Sequence, residues 1–393
     1  MRGLRKYLTP FAPDQSGAVS VLYELGGLIA ICDAGGCTGN VCGFDEPRWF
    51  EQKSALFSAG LRDMDAILGR DDRLVEKLVD AASKLDVKFV AIIGTPVPAV
   101  IGTDYKALGR MCEKRLNMPV ITIDTDGMEL YDVGEEKAWL ELFRTFTEKG
   151  NPNLDIEKKR GKIGVLGLTP QDISDLRAPK KIREYYQEKE GKEAICYCMG
   201  ENVCRSTYGL DNHRTAGEVE KNIVVSPAAL AAAKYLEKTF GTPYEVTYPI
   251  VEELVPDMDY RGKKILIVHQ QVIGNAMRAE IRRRCQKVNG DPSVDNNAVI
   301  TVASWFMMKQ ELSEEGDISL REEDDYMELV REEDYDIVFA DPMMKRMTED
   351  AYKMAGTGCV ADAHETERKR IFIDATHFAV SGKLREEMKK REA

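Results

Sequence analysis

The first predicted strand runs into a glycine-rich loop, in the stretch Leu28-Ile-Ala-Ile-Cys-Asp-Ala-Gly-Gly-Cys37. Its apolar part is continuous rather than alternating, which is typical of a parallel strand that is covered on both faces. Further runs of this kind are found at residues 88–93, 119–123, 162–167, 193–197, 222–225, 264–268, 299–303, 336–340 and 371–374. Amphipathic helical stretches such as 72–85 and 227–240 lie between them. This alternation predicts an α/β fold with parallel sheets.

Two polar, breaker-rich seams divide the 393 residues, at positions 149–161 and 256–264. They predict three Rossmann-like parallel-sheet domains, which cover residues 1–158, 159–260 and 261–393. The last of these contains a very acidic stretch at residues 311–336. We expect this stretch to be a solvated helical insertion, with a docking surface as the alternative.

The net negative charge of the chain bears on whether it binds nucleic acid. Lys and Arg number 55 against 67 Asp and Glu, which gives a net charge of −12. Nucleic-acid binding needs a cationic surface that displaces phosphate counterions, so this chain is predicted to bind no nucleic acid. No window reaches eighteen apolar residues without charge, and the basic N-terminus is not followed by an apolar core. The sequence therefore predicts a cytoplasmic protein without a membrane span or a secretory signal.

Three of the nine cysteines, Cys32, Cys37 and Cys42, lie in the loop after the first strand. In open parallel sheets, ligands bind beyond the carboxyl ends of the strands, which is where this loop is expected. Thiolates among glycine amides suit an iron–sulfur cluster, because hydrogen bonds to sulfur tune its potential. The Cys-x4-Cys-x4-Cys spacing supplies only three thiolates, so two copies of the chain would complete a set of four. A glycine-rich turn with incidental cysteines is the alternative.

A second cluster, Cys196, Cys198 and Cys204, ends a later predicted strand. It lacks the paired C-x2-C of zinc ribbons and has no adjacent His, which disfavours zinc. Strand alternation places Cys196 and Cys198 on the same face, so core residues, a redox pair and a second site all remain open. The isolated cysteines are expected to be buried apolar residues, and they are Cys112, Cys285 and Cys359.

Several nucleotide and nucleophile motifs are missing from the sequence. It has no P-loop, no G-x-G-x-x-G after a strand and no G-x-S-x-G, and its four histidines form no H-x3-H pair. The chain is therefore predicted to bind no nucleotide. An α/β protein with loop cysteines and no nucleotide fingerprint suggests a recipient of electrons. Loop candidates for a general acid are Asp33, Asp104 and His269.

The opening of the chain resembles nitrogenase component 1 proteins. Gly17-Ala-Val-Ser-Val-Leu-Tyr-Glu-Leu-Gly-Gly27, followed by the strand and loop through Cys37, is similar to the segment where that family has a His-Gly-Pro-x-Gly-Cys loop. Further similar segments follow in order at residues 57–69, 92–104, 222–227, 262–269 and 335–341. The resemblance implies three α/β domains in dimers or heterotetramers. It also implies, for the reductases of this family, electron supply by an ATP-dependent iron protein.

The resemblance carries over only one family ligand, since Cys37 matches the cluster cysteine of the Gly-Cys loop. The family's other two cluster cysteines fall near Phe11 and Pro96, and its cofactor cysteine falls near Ser226. Cys32 takes the place of the usual loop His. We therefore expect no iron–molybdenum cofactor, and instead a smaller [4Fe-4S] cluster ligated by Cys37 with Cys32 or Cys42.

These patterns together predict a nitrogenase-like reductase component for an unidentified substrate. It would accept electrons from an ATP-dependent iron protein through its iron–sulfur cluster, as a homodimer or as a heterodimer with a related subunit. Two alternatives stay open. One is a non-catalytic scaffold or carrier in metallocofactor assembly, and the other is a metal-free binding module that kept the fold.

Overall fold

The computed structural model describes residues 5–50, 53–69, 71–148, 161–197, 210–287, 297–354 and 370–377. The chain forms two compact units. The first is Phe11–Val246, called here the cysteine unit, and the second combines Met1–Pro10 with Thr247–Ala393, called here the C-terminal unit. In the described parts, no helix is both long and apolar enough to cross a membrane.

The first sheet of the cysteine unit is parallel throughout, with strand order β2-β1-β3-β4. Its strands are β1 (Leu28–Ile31), β2 (Ala55–Ser58), β3 (Val90–Ile93) and β4 (Val120–Ile123). The helices of this part are α1 (Asp14–Leu22), α2 (Gly36–Asn40), α3 (Asp63–Leu68), α4 (Asp71–Ser83), α5 (Pro96–Ile101), α6 (Tyr105–Leu116) and α7 (Tyr131–Phe146). Every residue of the two central strands β1 and β3 is buried, as their continuous apolar runs predict.

The second sheet of this unit repeats the topology of the first, with order β6-β5-β7-β8 and parallel pairing. Its strands are β5 (Lys162–Leu166), β6 (Glu193–Cys196), β7 (Lys221–Val224) and β8 (Tyr244–Val246). The accompanying helices are α8 (Ala178–Glu190), α9 (Asp211–Arg214) and α10 (Leu230–Phe240). Helix α10 follows a 3-10 turn with Pro227 at its start, and Gly241 ends it in the left-handed conformation.

Helices α1 and α7 pack with their backbones in close approach. A Cβ atom at Gly17 would lie 1.9 Å from the Tyr131 carbonyl oxygen, and one at Gly134 would lie 1.8 Å from the Asp14 carbonyl oxygen. Only glycine permits this distance at either position. The two glycines therefore bring the polar residues at the start of α7 against α1, which is the helix that precedes β1.

The C-terminal unit contains a five-stranded parallel sheet with order β11-β10-β9-β12-β13. Its strands are β9 (Lys264–Val268), β10 (Val299–Ser304), β11 (Ile318–Ser319), β12 (Ile337–Ala340) and β13 (Ile371–Asp374). The helices are α11 (Gln271–Lys287), α12 (Glu323–Glu333) and α13 (Lys345–Met354). The sheet order reverses at β9, as in doubly wound folds. The α/β class with Rossmann-like parallel sheets is thus confirmed.

All ten predicted strands are present, and within the described ranges three further strands escaped prediction. The missed strands are β2, β8 and β11, and each lies at the edge of its sheet. An edge strand needs no continuous apolar run, because one side of it is not paired and its faces are partly open. The division into three domains stays a prediction, and most of the seam at residues 149–161 lies outside the described residues.

The acidic stretch at residues 311–336, expected to be a solvated helical insertion, is partly helical. It supplies β11 and then helix α12, the crossover that leads into β12. Tyr326 and Val330 are fully buried four residues apart, so one face of α12 packs on the unit. Glu323 is also buried, and its carboxylate accepts the backbone N–H groups of Lys6, Tyr7 and Leu8. The many acidic residues hid this apolar face in the sequence pattern.

Candidate functional site at the carboxyl edge of the first sheet

The cysteine loop begins where β1 ends, beside the end of β3. The Cys32 N–H donates to the Ile93 carbonyl over 2.8 Å, which extends the strand pairing by one residue. The Cys32 carbonyl in turn accepts the Thr95 hydroxyl over 2.6 Å. The loops after β1 and β3 are therefore joined at the position where open parallel sheets bind ligands.

Asp33 holds the loop in shape through two hydrogen bonds. Its Oδ2 accepts the Thr38 N–H over 2.7 Å, and its Oδ1 accepts the Ser58 hydroxyl over 2.5 Å. The side chain is buried. A buried carboxylate with a backbone N–H donor and a hydroxyl donor fixes the turn that carries Cys37.

The loop continues through a short helix into a π-helical turn. Gly35 has a φ of 115°, a conformation open to glycine but costly for other residues, and it starts α2. The turn Val41–Asp45 carries Cys42, and Val41 anchors it because its side chain is completely buried. A Cβ atom at Gly36, Gly39 or Gly43 would meet nothing within 4 Å. The outer side of the loop therefore has open space.

A buried ion-pair network fixes the end of the π-helical turn. Arg48 is 1% exposed, and its guanidinium donates to both carboxylate oxygens of Glu46, each over 2.7 Å. It also donates to Glu24 over 3.1 Å and to the Ser20 carbonyl over 2.7 Å. Since Ser20 lies on α1, this network ties the loop to the core of the unit.

The three predicted cysteine ligands differ in environment. Cys32 is buried in the apolar core and lines a cavity of about 250 Å³, whereas Cys37 and Cys42 are partly exposed. Burial, followed by the charge of Asp33, raises the pKa of the Cys32 thiol to about 12. Burial also raises the pKa values of Cys37 and Cys42 above the ordinary thiol value. Within the described ranges, no three His, Cys, Asp or Glu residues form a group that could hold a metal ion.

Large apolar side chains are exposed around this loop. Phe44 on the π-helical turn is 67% exposed, Val100 on α5 is 86% exposed, and Met128 after β4 is 81% exposed. Further exposed apolar residues on β2, α3 and α5 are Phe57, Met64, Leu68, Val97 and Ile101. We call this set, with Phe44, Val100 and Met128, the apolar edge. Apart from Phe57 within β2, these residues lie in segments that follow the four strands of the sheet.

The other predicted site residues have structural roles. Asp104 caps α6 by accepting the Ala107 N–H over 2.9 Å. His269 is buried in the C-terminal unit, and burial lowers its pKa to about 4, so its imidazole is neutral at pH 7. Cys112, Cys196 and Cys285 are buried, as their interpretation as core residues predicts. Cys198, Cys204 and Cys359 lie outside the described residues.

A buried carboxyl pair, Glu135 and Asp172, escaped the sequence interpretation. Glu135 is on α7 and Asp172 follows β5, and the two carboxyls interact electrostatically. A signal for Glu135 exists in the sequence, because it shares the face of α7 that carries the buried Tyr131, Ala138 and Leu142. A carboxyl within an apolar helix face indicates a paired or neutral group.

Comparison with known proteins identifies relatives for part of the chain. The nitrogenase iron–molybdenum cofactor biosynthesis protein NifE of Bradyrhizobium diazoefficiens is 23% identical over 194 residues, which are 48% of this chain and 32% of that protein. NifE of Clostridium pasteurianum is 26% identical over 200 residues, which are 50% of this chain and 40% of that protein. The chain thus matches less than half the length of either relative.

Solved structures share the fold along more of the chain. The structure described as nitrogenase Cp1 at pH 6.5 superposes with a TM-score of 0.65 at 13% identity, covering 100% of this chain and 93% of that one. Nitrogenase Cp1 at pH 5 gives a TM-score of 0.59 at 14% identity, covering 91% and 84%. A family model described as nitrogenase component 1 type oxidoreductase matches residues 16–251, more than half of the chain. This protein therefore belongs to the nitrogenase component 1 type oxidoreductase family.

Proposed function

We propose that the chain is the electron-accepting component of a two-component, nitrogenase-like reductase. The observation that carries the proposal is the cysteine loop, with two partly exposed thiols at the carboxyl edge of a parallel sheet. Family membership supports redox chemistry at this position, because the oxidoreductase family is defined over residues that include the loop. An iron–sulfur cluster bound there would store one electron at a time.

Cys37 and Cys42 are the proposed ligands in each chain. Both residues are partly exposed, and a Cβ atom at the neighbouring Gly36, Gly39 or Gly43 would meet nothing within 4 Å. The Thr38 hydroxyl next to Cys37 is buried and has no hydrogen-bond partner among the described residues, so it is available to a ligand sulfur. Cys32 suits this role less well than the sequence pattern predicts, because its thiol is in the core and stays protonated.

Two thiols per chain imply that two chains share one cluster. A [4Fe-4S] cluster takes four cysteine thiolates, which two copies of Cys37 and Cys42 would supply. The apolar edge supports such an assembly, because exposed large apolar residues are favourable to bury in an interface. A two-fold axis would place identical loops against each other. The proposed assembly is a homodimer, with a heterodimer of related subunits as the variant. The predicted lack of an iron–molybdenum cofactor stays a prediction.

The proposed electron donor is an ATP-dependent iron protein. The chain has no P-loop of its own, so ATP-driven electron delivery requires a second protein. The net charge of −12 favours a donor with a basic docking face. Association should weaken as salt screens these charges.

A non-catalytic assembly scaffold is the second candidate function. It is favoured by the two NifE relatives, whose printed names describe cofactor biosynthesis. A metal-free binding module is the third. It is favoured by the lack of a group of three possible ligands within one chain's described residues.

Iron content tests the metal proposal. Anaerobically purified protein should contain iron and acid-labile sulfide, and Cys37→Ala and Cys42→Ala should each remove the visible chromophore. Cys285→Ala in the C-terminal unit is the matched control and should retain the full iron content, as should Cys32→Ala. Iron-free wild-type protein after anaerobic reconstitution would contradict the proposal and favour the metal-free module.

Reduction by a donor separates the reductase from the scaffold. The cognate iron protein with MgATP should bleach the chromophore of the wild-type protein within the turnover time of the donor. With a mimic of the ATP-hydrolysis transition state bound to the donor, the complex of donor and protein should elute as one species on gel filtration at low salt. High salt should separate the two proteins. A chromophore that stays oxidised while the metallocofactor passes to another protein would instead establish the scaffold.

A further inference from the structure

We propose that Glu135 and Asp172 form a proton-binding site that takes up a proton when the cysteine loop accepts an electron. The inference rests on the proposed function above and deepens it. It starts from a carboxyl pair that is completely buried in the cysteine unit, with Glu135 at 0% and Asp172 at 1% exposure. The site belongs to the residues of this chain alone and can be tested without its substrate.

Hydrogen bonds define the pair. The Thr169 hydroxyl donates to Glu135 Oε1 over 2.6 Å, and the Tyr131 hydroxyl donates to Asp172 Oδ1 over 2.6 Å. The Ser226 side chain is also hydrogen-bonded to Asp172. The two carboxyls interact electrostatically. Glu135 Oε2 is buried and has no hydrogen-bond partner among the described residues, so an ionised Glu135 would leave an unsatisfied buried charge, whereas a protonated carboxyl would not.

The surroundings keep that proton in place at neutral pH. The groups that interact electrostatically with the pair are acids and hydroxyls, namely Tyr131 and Asp132 on α7, Thr169 after β5 and Ser226 after β7. Helix α1 contributes its backbone at Gly17. Burial, and then the charge of Asp172, raises the pKa of Glu135 well above its ordinary value. The pair therefore holds one proton, and it can bind a second proton.

Two routes connect the pair to the cysteine loop. Gln171, which directly precedes Asp172, donates its side-chain amide to the Asp45 carbonyl at the end of the π-helical turn. On the other side, Ser16 of α1 donates to Asp45 Oδ2 over 2.7 Å. The next residue, Gly17, lies against the Glu135 side chain, since a Cβ there would be 3.0 Å from Glu135 Cγ. The pair is thus one helix removed from the turn that carries Cys42.

This arrangement couples charge to protonation. An added electron in the loop places negative charge near a buried pair in a medium of low dielectric constant, which increases the proton affinity of Asp172. One electron enters from the donor and one proton enters from solvent. One O–H bond of a solvent hydronium ion breaks and one O–H bond forms on Asp172, so the added electron and the added proton leave the net charge of the region unchanged.

Infrared spectroscopy tests the resting proton without any metal. Wild-type protein at pH 7.5 should show the carbonyl stretch of a buried carboxylic acid that shifts in D2O. Glu135→Gln should lose this band, because the amide keeps the hydrogen bonds but carries no acid. The matched control is Glu141→Gln, since Glu141 lies on the same helix but is exposed beside Arg144. It should retain the band. Wild-type protein without the band would overturn the proposal.

The reduction potential of the chromophore tests the coupling. In wild-type protein the reduction potential should fall as pH rises, with a slope that approaches 59 mV per pH unit. The double variant Glu135→Gln/Asp172→Asn should show a flat potential, and Glu141→Gln should follow the wild type. A flat wild-type potential together with the infrared band would overturn the coupling while leaving the cluster proposal intact. Protein without a chromophore but with the band would contradict the proposed function instead.

Discussion

The carboxyl edges of two sheets in this chain differ in how their side chains are covered. In the C-terminal unit, the rings of His269 and His377 stack at 4.7 Å, and Phe306 packs on His377 at 4.8 Å. Asp341 accepts the His377 N–H over 2.9 Å. Residues that follow β9, β10, β12 and β13 therefore fill this edge with the unit's own side chains.

The carboxyl edge of the first sheet in the cysteine unit instead carries glycines and exposed apolar residues. Its loop after β1 offers two thiols, and the surrounding side chains such as Phe44 and Val100 point to solvent. Burying such residues is favourable by about 25 cal/mol per Å² of apolar surface. Two parallel sheets of one chain thus differ at their carboxyl edges, since one is covered by side chains of its own unit and the other leaves apolar side chains exposed.

The largest expected effect comes from removing a buried guanidinium in each unit. Arg48→Met should destabilise the protein by about 3–5 kcal/mol, because it leaves Glu46 and Glu24 buried without their cation. Arg278→Met should cost a similar amount, because Arg278 is paired with the buried Asp317 over 2.6 Å. Denaturant unfolding measures both.

The same two variants should differ in iron content. Arg48→Met should also lose the chromophore, because Arg48 fixes the turn that carries Cys42, whereas Arg278→Met should keep it. Iron content is compared under conditions where both variants are folded. Equal iron contents would show that the Arg48 network does not position the cysteine loop.

The two units should respond to pH in opposite directions. The pKa of His269 is lowered to about 4 in the folded state, so the unfolded state binds more protons and stability is lost as pH falls from 6.5 towards 4. This loss should reach about 3 kcal/mol. The pKa of Glu135 is raised in the folded state, so its contribution is present below the unfolded value of 4.5 and is lost as pH rises.

Hydrogen exchange, measured on peptides from each unit over a range of pH, gives the dependence of each unit's stability on pH. His269→Gln should flatten the slope of the C-terminal unit alone, and Glu135→Gln that of the cysteine unit alone. A common slope in both units would contradict the assignment of these groups.

A charge at the open edge should weaken assembly. Val100→Asp introduces a carboxylate at an 86% exposed position of the apolar edge and should raise the dimer dissociation constant at least tenfold, about 1.4 kcal/mol. Val299→Asp in the C-terminal unit, at 63% exposure, is the matched control and should leave the dimer unchanged. Sedimentation velocity over a dilution series measures both. Identical dissociation constants would remove the apolar edge from the interface.

Glycine conformation should give the smallest effect. Gly35 and Gly316 both have positive φ values, 115° and 91°, and a Cβ atom at either would meet nothing within 4 Å. Each replacement by Ala should therefore cost about 1 kcal/mol from backbone strain alone. Only Gly35→Ala should lower the iron content. An unchanged iron content in that variant would mean that the loop tolerates a relaxed turn.

The sequence alone determined the central strands and the place of the cysteine loop. Runs such as Leu28–Ile31 and Lys264–Val268 must be buried on both faces, so their apolar residues are continuous and visible without a structure. Glycines after the first of these runs signalled a loop at a sheet edge. The family resemblance rested on the same local patterns, and the family model confirmed it.

Only the tertiary structure decided which groups meet. Cys32, Cys37 and Cys42 are alike in type and spacing, but the direction of the chain after β1 buries the first and leaves the other two partly exposed. Glu135 lies on α7 and Asp172 follows β5, and hydrogen bonds from Tyr131 to Asp172 and from Thr169 to Glu135 link the two segments. Edge strands such as β11 are stabilised by pairing with a neighbour rather than by their own composition. Such contacts join residues far apart in sequence, so no local pattern records them.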